Sequence, residues 1–290
     1  MLKGYLYTYA AIAIFSSLEV SSKLTTVSMP PLVLWFFRMV FGILVLFPFV
    51  KFRKLKNLSK VDWINMAWLG SVTVGIGVSL FHIGLYHVGA SEVAIITSSN
   101  PLFVLLFSKL IYKEKFKLRV YIGMGLGFLG VIMVAYKPGH FFTSFYSLCI
   151  LVSAILFAIY TVLGRKISRK TSSSTLNFFA FIFGMFTVLI ILFLIHEPII
   201  LPLKEIWNVL YLGMVVTGLA YVLFFQGVKI VGASLGSMAF FVKPWLASLL
   251  AFFILREEFT ILKIFGGILM AVALIIAYWP GKKELVRKGR

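Results

Sequence analysis

The sequence predicts an all-α integral membrane protein of ten transmembrane helices, arranged as two inverted-topology five-helix repeats. Three observations carry that prediction: an apolar composition, an internal repeat, and basic residues sorted by loop. Hydrophobic residues make up 61% and charged residues 13% of the 290 positions, whereas soluble domains carry roughly 25% charge. Stretches of about 18 to 23 apolar residues recur along the chain, each able to cross a hydrocarbon core of about 30 Å at 1.5 Å per residue. They fall near residues 5–25, 32–50, 64–86, 92–112, 119–136, 145–164, 175–195, 207–228, 234–255 and 262–279. The alternation expected of barrel strands is absent, so helices must satisfy the backbone within lipid.

The repeat is ungapped. Residues 69–123 align with residues 212–266 at a constant offset of 143, with 17 identities in 55 positions. The identities include Gly70 with Gly213, Gly75 with Gly218, Gly84 with Gly227, Val88-Gly89-Ala90-Ser91 with Val231-Gly232-Ala233-Ser234, Pro101 with Pro244, and Glu114 with Glu257. Shared apolar composition would not place glycines, prolines and a glutamate in register. Two copies of one unit in a membrane commonly enclose a pathway between them. The expected units are residues 1–139 and 140–281, followed by a basic tail at 282–290.

Charge gives the orientation. Basic residues gather after the second span (Lys51, Arg53, Lys54, Lys56, Lys60), after the fourth (Lys113, Lys115, Lys117, Arg119), after the sixth (Arg165, Lys166, Arg169, Lys170) and in the tail. With Lys3 and Lys229 this places 20 basic residues on one side against four, Lys137, Lys204, Arg256 and Lys263, on the other. The positive-inside rule then makes both termini cytoplasmic. Five spans per copy oblige the second copy to enter the membrane the opposite way. The loops agree, since Lys113-Glu114-Lys115-Phe116-Lys117-Leu118-Arg119 becomes Arg256-Glu257-Glu258-Phe259-Thr260-Ile261-Leu262 in the second copy. The net charge of +19 is therefore a topology signal, and nucleic acid is not an expected partner. The first span begins at Gly4 with almost no charged leader and no small-residue cleavage site, so it is expected to be retained. Cys149 is alone and reads as a small packing residue.

Gly-Ala-Ser, a proline-containing span, a terminal Glu and then a glycine-rich span, all present twice, resemble the EamA-type members of the drug/metabolite transporter superfamily. The resemblance covers nearly the whole chain. It implies two inverted five-helix bundles around a central cavity and says little about substrate, which in that superfamily ranges over amino acids, nucleobases, sugars, phosphorylated metabolites and drugs.

Polar groups inside the spans cost about 2.5–3.5 kcal/mol or more at the bilayer centre and so should face the bundle interior. Lys243 leads the candidates, immediately before Pro244. That proline lacks an amide donor and should displace the carbonyl of Phe240, leaving an acceptor beside the ammonium. The first copy has Asn100-Pro101 there, with Ser98 and Ser99 close by. Lys243 facing Asn100 and Ser98 could hold a carboxylate or a phosphate. Glu19, set among serines in the first span, is a candidate proton carrier or ammonium ligand; the structural alternative pairs it with Lys23 or Lys243. His82, Tyr221 and Gln226 lie in the two spans that carry the matched glycines and are expected to line the cavity. Trp245 is expected to touch substrate by stacking or cation-π attraction. Arg38, where EamA-type proteins commonly carry a basic residue, reads as a packing or interfacial group. Glu114 and Glu257 read as helix-end residues paired with basic neighbours. The spacings Gly123 to Gly127 and Gly232 to Gly236 suit close helix packing and raise the possibility of a homodimer.

Other classes find little support. Gly232-Ala233-Ser234-Leu235-Gly236 matches the G-x-S-x-G nucleophile pattern, but the first copy, Gly89-Ala90-Ser91-Glu92-Val93, lacks the last glycine and points to a recurring turn. No His-Glu-x-x-His, paired cysteines or Walker A loop is present, so neither a cofactor nor direct use of ATP is implied. A scaffold would need neither intramembrane charges nor prolines at matched depths. The expectation is a secondary transporter of small metabolites, an exporter of amino acids or similar amphipathic solutes, with anions of the nucleotide-sugar or organic-phosphate type as the alternative. Its partners are a small-molecule substrate and the lipid bilayer, and its place is a prokaryotic plasma membrane. A reporter enzyme inserted between Lys51 and Lys60 should show cytoplasmic activity; activity only on the far side of the membrane would overturn the orientation.

Overall fold

The computed structural model describes residues 2–25, 28–88, 93, 96–135, 145–255 and 261–278. The Gly89 to Glu92 turn of the first copy, Lys137, Arg256, Glu257, the tail from residue 282 and the Lys23 side chain lie outside the described residues. All described regular structure is helical. In chain order we label α1 (Leu2–Phe15 continued by Leu18–Thr25), α2 (Pro31–Phe49), α3 (Lys60–His87), α4 (Ile96–Tyr112), α5 (Leu118–Ala135), α6 (Phe145–Lys170), α7 (Ser173–Leu194), α8 (Leu203–Val231), α9 (Ala233–Ile254) and α10 (Ile261–Tyr278).

Among the described residues six of these, α2, α3, α6, α7, α8 and α9, are long and apolar enough to cross a membrane, while α4, α5 and α10 contain shorter apolar helices. The first helix falls short because it breaks. Ser16 and Ser17 turn their hydroxyls onto the carbonyls of Ile12 and Ile14 at 2.7 and 2.8 Å, the local competition with the helical ladder that serines offer. Ser17 also meets the Tyr211 hydroxyl at 2.7 Å. The chain resumes as Leu18–Thr25 with Glu19 in its first turn.

Two stretches depart from α geometry at matched places. Leu69–Gly77 in α3 and Tyr211–Leu219 in α8 are π-helical, a widening that is rare and often marks functional sites. Each holds the glycine pair that the repeat predicted. In α3, a methyl on Gly70 would press on the Ala180 carbonyl and one on Gly75 on Thr187, both in α7. In α8, Gly213 meets Phe41 and Gly218 meets Val45, both in α2. Missing side chains thus let backbones approach where lipid supplies no hydrophobic drive. The same reciprocity holds for Gly84, which takes Ile150 of α6, and Gly227, which takes Thr8 of α1. α5 packs along α10, where Gly123 faces Ala273 and Ala277 and Gly130 faces Met270.

Gly123, Gly127 against Phe241, and Gly236 against Val228 are therefore used within the chain, and their spacing gives no support to a homodimer. Gly232 has a φ of 102°, a conformation that glycine alone adopts readily, and it joins α8 to α9. Two ion pairs tie the end that bears the basic loops. Asp62, in a reciprocal capping box with Ser59, binds Lys170 of α6 at 2.5 Å, and Glu114 binds Arg165 at 2.7 Å.

Close packing at Gly84 makes it sensitive to size. Gly84→Leu would drive a side chain into Ile150, and overfilling of this kind costs about 1–3 kcal/mol. Gly125 meets no neighbour within 4 Å. Thermal unfolding in detergent should fall for Gly84→Leu and hold for Gly125→Leu; equal midpoints would contradict the packing described.

Candidate functional site

The helix break at Pro244 builds one side of a buried polar cluster. Met238–Val242 winds as a 3-10 helix and the Lys243 amide donates to the Phe240 carbonyl. The proline therefore leaves no orphan acceptor at Phe240, contrary to the sequence expectation, because tightening to i→i+3 supplies a new donor. Lys243 Nζ instead donates to Glu19 Oε1 at 2.5 Å, with both side chains buried. Of the two structural pairings open to Glu19, the one with Lys243 is formed. The second carboxylate oxygen, Oε2, has no hydrogen-bond partner, and the ammonium also lies 5.9 Å from the Phe81 ring centre.

Across the cavity stands Arg38 of α2, 2% exposed. Its Nε donates to Thr217 Oγ1 at 3.1 Å. Thr217 sits in the π-helical stretch and donates to the Leu212 carbonyl five residues back at 2.8 Å. Arg38 Nη1 lies 2.8 Å from His82 Nε2, and His82 Nδ1 lies 2.8 Å from the Val78 carbonyl. These two bonds assign the tautomer: Nδ1–H donates to the carbonyl and Nε2 accepts from the guanidinium. Trp35 stacks on His82 at 5.3 Å and lies 5.1 Å from the guanidinium carbon, held by its own Nε1 donating to the Val74 carbonyl at 3.1 Å. Arg38 is thus neither interfacial nor mere packing. No carboxylate pairs with it among the described residues.

The cavity between them has a volume of about 80 Å³ and is lined by Arg38, His82, Asn100, Tyr221 and Lys243 together with Thr97, Ser153 and a set of aromatic and aliphatic side chains. Asn100 Nδ2 donates to the Ala154 carbonyl at 2.9 Å, while its buried Oδ1 has no partner. Phe15, Phe157, Tyr221 and Phe240 close one wall with ring centres 5.3 to 6.1 Å apart. With two cations and one carboxylate, the described cluster carries an excess of one positive charge.

Of the residues expected from sequence, Lys243, Asn100, His82 and Tyr221 therefore meet at one cavity, and Glu19 stands behind Lys243. Three do not join them. Ser98 is fully buried with an unpartnered hydroxyl, and the cavity is lined by its neighbour Thr97 instead. Trp245 faces a separate space beside Tyr9, Gly267 and Met270, because two residues beyond Lys243 is about 200° round the helix, which carries the indole to the opposite face and toward α10. Gln226 accepts from Ser173 at 3.3 Å and lines a pocket at the basic end. The residue missed is Arg38; a cation seven positions into an apolar span is itself a signal of interior placement.

Comparison with known proteins agrees with this architecture. The model of the EamA-like transporter family matches residues 2–136 and again residues 144–279, so the chain belongs to that family and is a multi-pass membrane transporter. An uncharacterized transporter of Clostridium kluyveri is 27% identical over 98% of this chain and 95% of its own length. The uncharacterized transporter YdfC of Bacillus subtilis is 25% identical over 83% of this chain and 80% of its own length. The protein PecM of Dickeya dadantii is 24% identical over 76% of each chain. One solved crystal structure superposes with a TM-score of 0.78, covering 99% of this chain and 98% of the other at 19% identity, a likeness of fold.

The ion pair should follow the rule that removing one partner of a buried pair is far worse than removing both. Lys243→Met or Glu19→Leu alone should cost about 3–5 kcal/mol, and the double replacement should recover most of that loss. A double-mutant cycle of unfolding midpoints measures it. Additive losses would show that the pair is not formed.

Proposed function

We propose that the protein is a secondary exporter of small amphipathic metabolites bearing a carboxylate, amino acids foremost, in a plasma membrane. The observation that carries this reading is Arg38, a buried guanidinium that faces the cavity without a carboxylate partner among the described residues. Burying an unpaired charge is expensive. A substrate carboxylate would supply the missing counter-charge, and a guanidinium offers planar, directional donors for it. Unpaired Asn100 Oδ1 and Glu19 Oε2 could accept from an ammonium group of the same solute.

The transport cycle we infer is alternating access between two inverted five-helix units, residues 1–139 and 140–281, spanning the membrane ten times with both termini in the cytoplasm. Helix bounds support it: α5 and α10, at Leu118–Ala135 and Ile261–Tyr278, stand 143 residues apart at both ends. So do the reciprocal glycine contacts. The lining residues of α3, Val78 to His82, lie near the end away from the basic loops. Toward the basic end stand Phe224, Phe225 and Tyr160, ring against ring, and then the pairs Asp62 with Lys170 and Glu114 with Arg165. This arrangement suits a state open to the outside and closed toward the cytoplasm. In it, Glu19 is the candidate proton carrier: if Lys243 turns to substrate, the carboxyl loses its partner and can take a proton. The positive excess would also serve an organic phosphate or nucleotide sugar, which keeps those anions as the second reading.

Proteoliposomes loaded with a labelled panel of amino acids, organic acids, sugar phosphates and neutral sugars test this. Carboxylate-bearing solutes should move, and Arg38→Gln should slow them by about 10- to 100-fold, the loss expected of a charge-assisted contact. A panel that stays inside under both solute and pH gradients, or an Arg38→Gln protein with full flux, would refute the proposal.

A further inference from the structure

A second polar cavity lies outside the central one, at the end of the bundle that bears the basic loops. It has a volume of about 380 Å³ between α2, α7 and α8, and three lysines converge on it, Lys51 and Lys54 from the α2–α3 loop and Lys229 from the end of α8. No acidic side chain lines it among the described residues. Like charges gathered around a cavity repel one another, so an arrangement of this kind stores a demand for a counter-anion.

The site is built. The Lys51 amide donates to Thr175 Oγ1 at 3.0 Å, fastening the α2–α3 loop to the start of α7. Ser172 caps that helix, its hydroxyl accepting from the Thr175 amide at 3.1 Å. The first turn of a 22-residue helix therefore opens toward the lysines with its amides and the positive end of its dipole. Ser174 lines the cavity at 9% exposure, and its hydroxyl makes no hydrogen bond to the described residues. Gln226 adds an amide from α8.

The opposite wall is apolar and reaches the outside of the bundle. Val45, Phe49, Leu219 and Val222 line it, and Phe49 and Leu219 are 64% and 44% exposed. Cationic donors at the membrane surface, continuous with an apolar face running toward the bilayer, match the two parts of a phospholipid.

We propose that this cavity binds the phosphate group of an anionic ligand, with the headgroup of an anionic phospholipid as its natural source. Basic pockets between membrane helices at the basic end are suited to such headgroups. A lipid held there bridges α7 to α2 and α8, the two helices that carry Arg38 and Thr217, and so stabilises the assembled bundle. The proposal is independent of the solute assignment above.

The test compares thermal unfolding of the full chain in nanodiscs of pure phosphatidylcholine, the same lipid with added phosphatidylglycerol, and pure phosphatidylcholine with inorganic phosphate in the buffer. Two triple variants are measured beside the wild type: Lys51→Gln with Lys54→Gln and Lys229→Gln, and, as a control of equal charge change, Lys113→Gln with Lys115→Gln and Lys117→Gln. Phosphatidylglycerol should raise the wild-type and control midpoints by at least about 2 °C through preferential binding to the folded state, and the cavity variant should lose that rise. A rise produced by inorganic phosphate alone, and lost in the cavity variant, would assign the same site to a soluble phosphate. If both triple variants lose the rise equally, or if neither additive shifts the wild type, the proposal fails.

Discussion

Charge inside an apolar bundle is the constraint on which the rest of this structure depends. An ammonium, a carboxylate and a guanidinium are all buried here, and none can be left uncompensated without several kcal/mol of penalty. Two of them settle each other at 2.5 Å. The third is held by a threonine hydroxyl, a neutral histidine nitrogen and an indole face, which orient a guanidinium but do not neutralise it. That imbalance gives the cavity its chemical character, and it accounts for local features that would otherwise look like defects.

Each such feature places one charged group. The break at Ser16 and Ser17 lets α1 restart one residue before Glu19. The 3-10 winding before Pro244 starts an α-helix at Lys243. The π-helical stretch of α8 offers the Thr217 hydroxyl to Arg38. All three are departures from a straight α-helix, and in lipid they persist only where the freed backbone groups find partners inside the bundle. Glycines at the reciprocal contacts supply the tight frame that holds these departures in register.

Much of the frame was legible in the sequence because repetition and charge sorting are linear signals. Gly70, Gly75, Gly213 and Gly218 stood out by register alone, and all four proved to be points of close approach. Two local readings misled. Pro244 was expected to orphan a carbonyl, but a helix can tighten to keep it bonded. Trp245 was placed near substrate by its closeness in sequence to Lys243, although residues two apart on a helix point about 160° away from one another. Arg38 was undervalued because its meaning depends on distant partners: Thr217 is 179 positions away and His82 is 44. His82 aligns with Phe225 and Asn100 with Lys243 at the constant offset, so the copies diverge where the cavity gains its polarity.

If the unpaired guanidinium makes this cavity a carboxylate site, binding should follow the ligand's charge and not its shape. The most direct measurement is the unfolding temperature of the wild-type protein titrated with an amino acid and with its carboxamide, which differs by little more than the loss of the negative charge. Stabilisation that rises with the carboxylate and is absent with the amide is the result this account predicts. Equal stabilisation by both would contradict it.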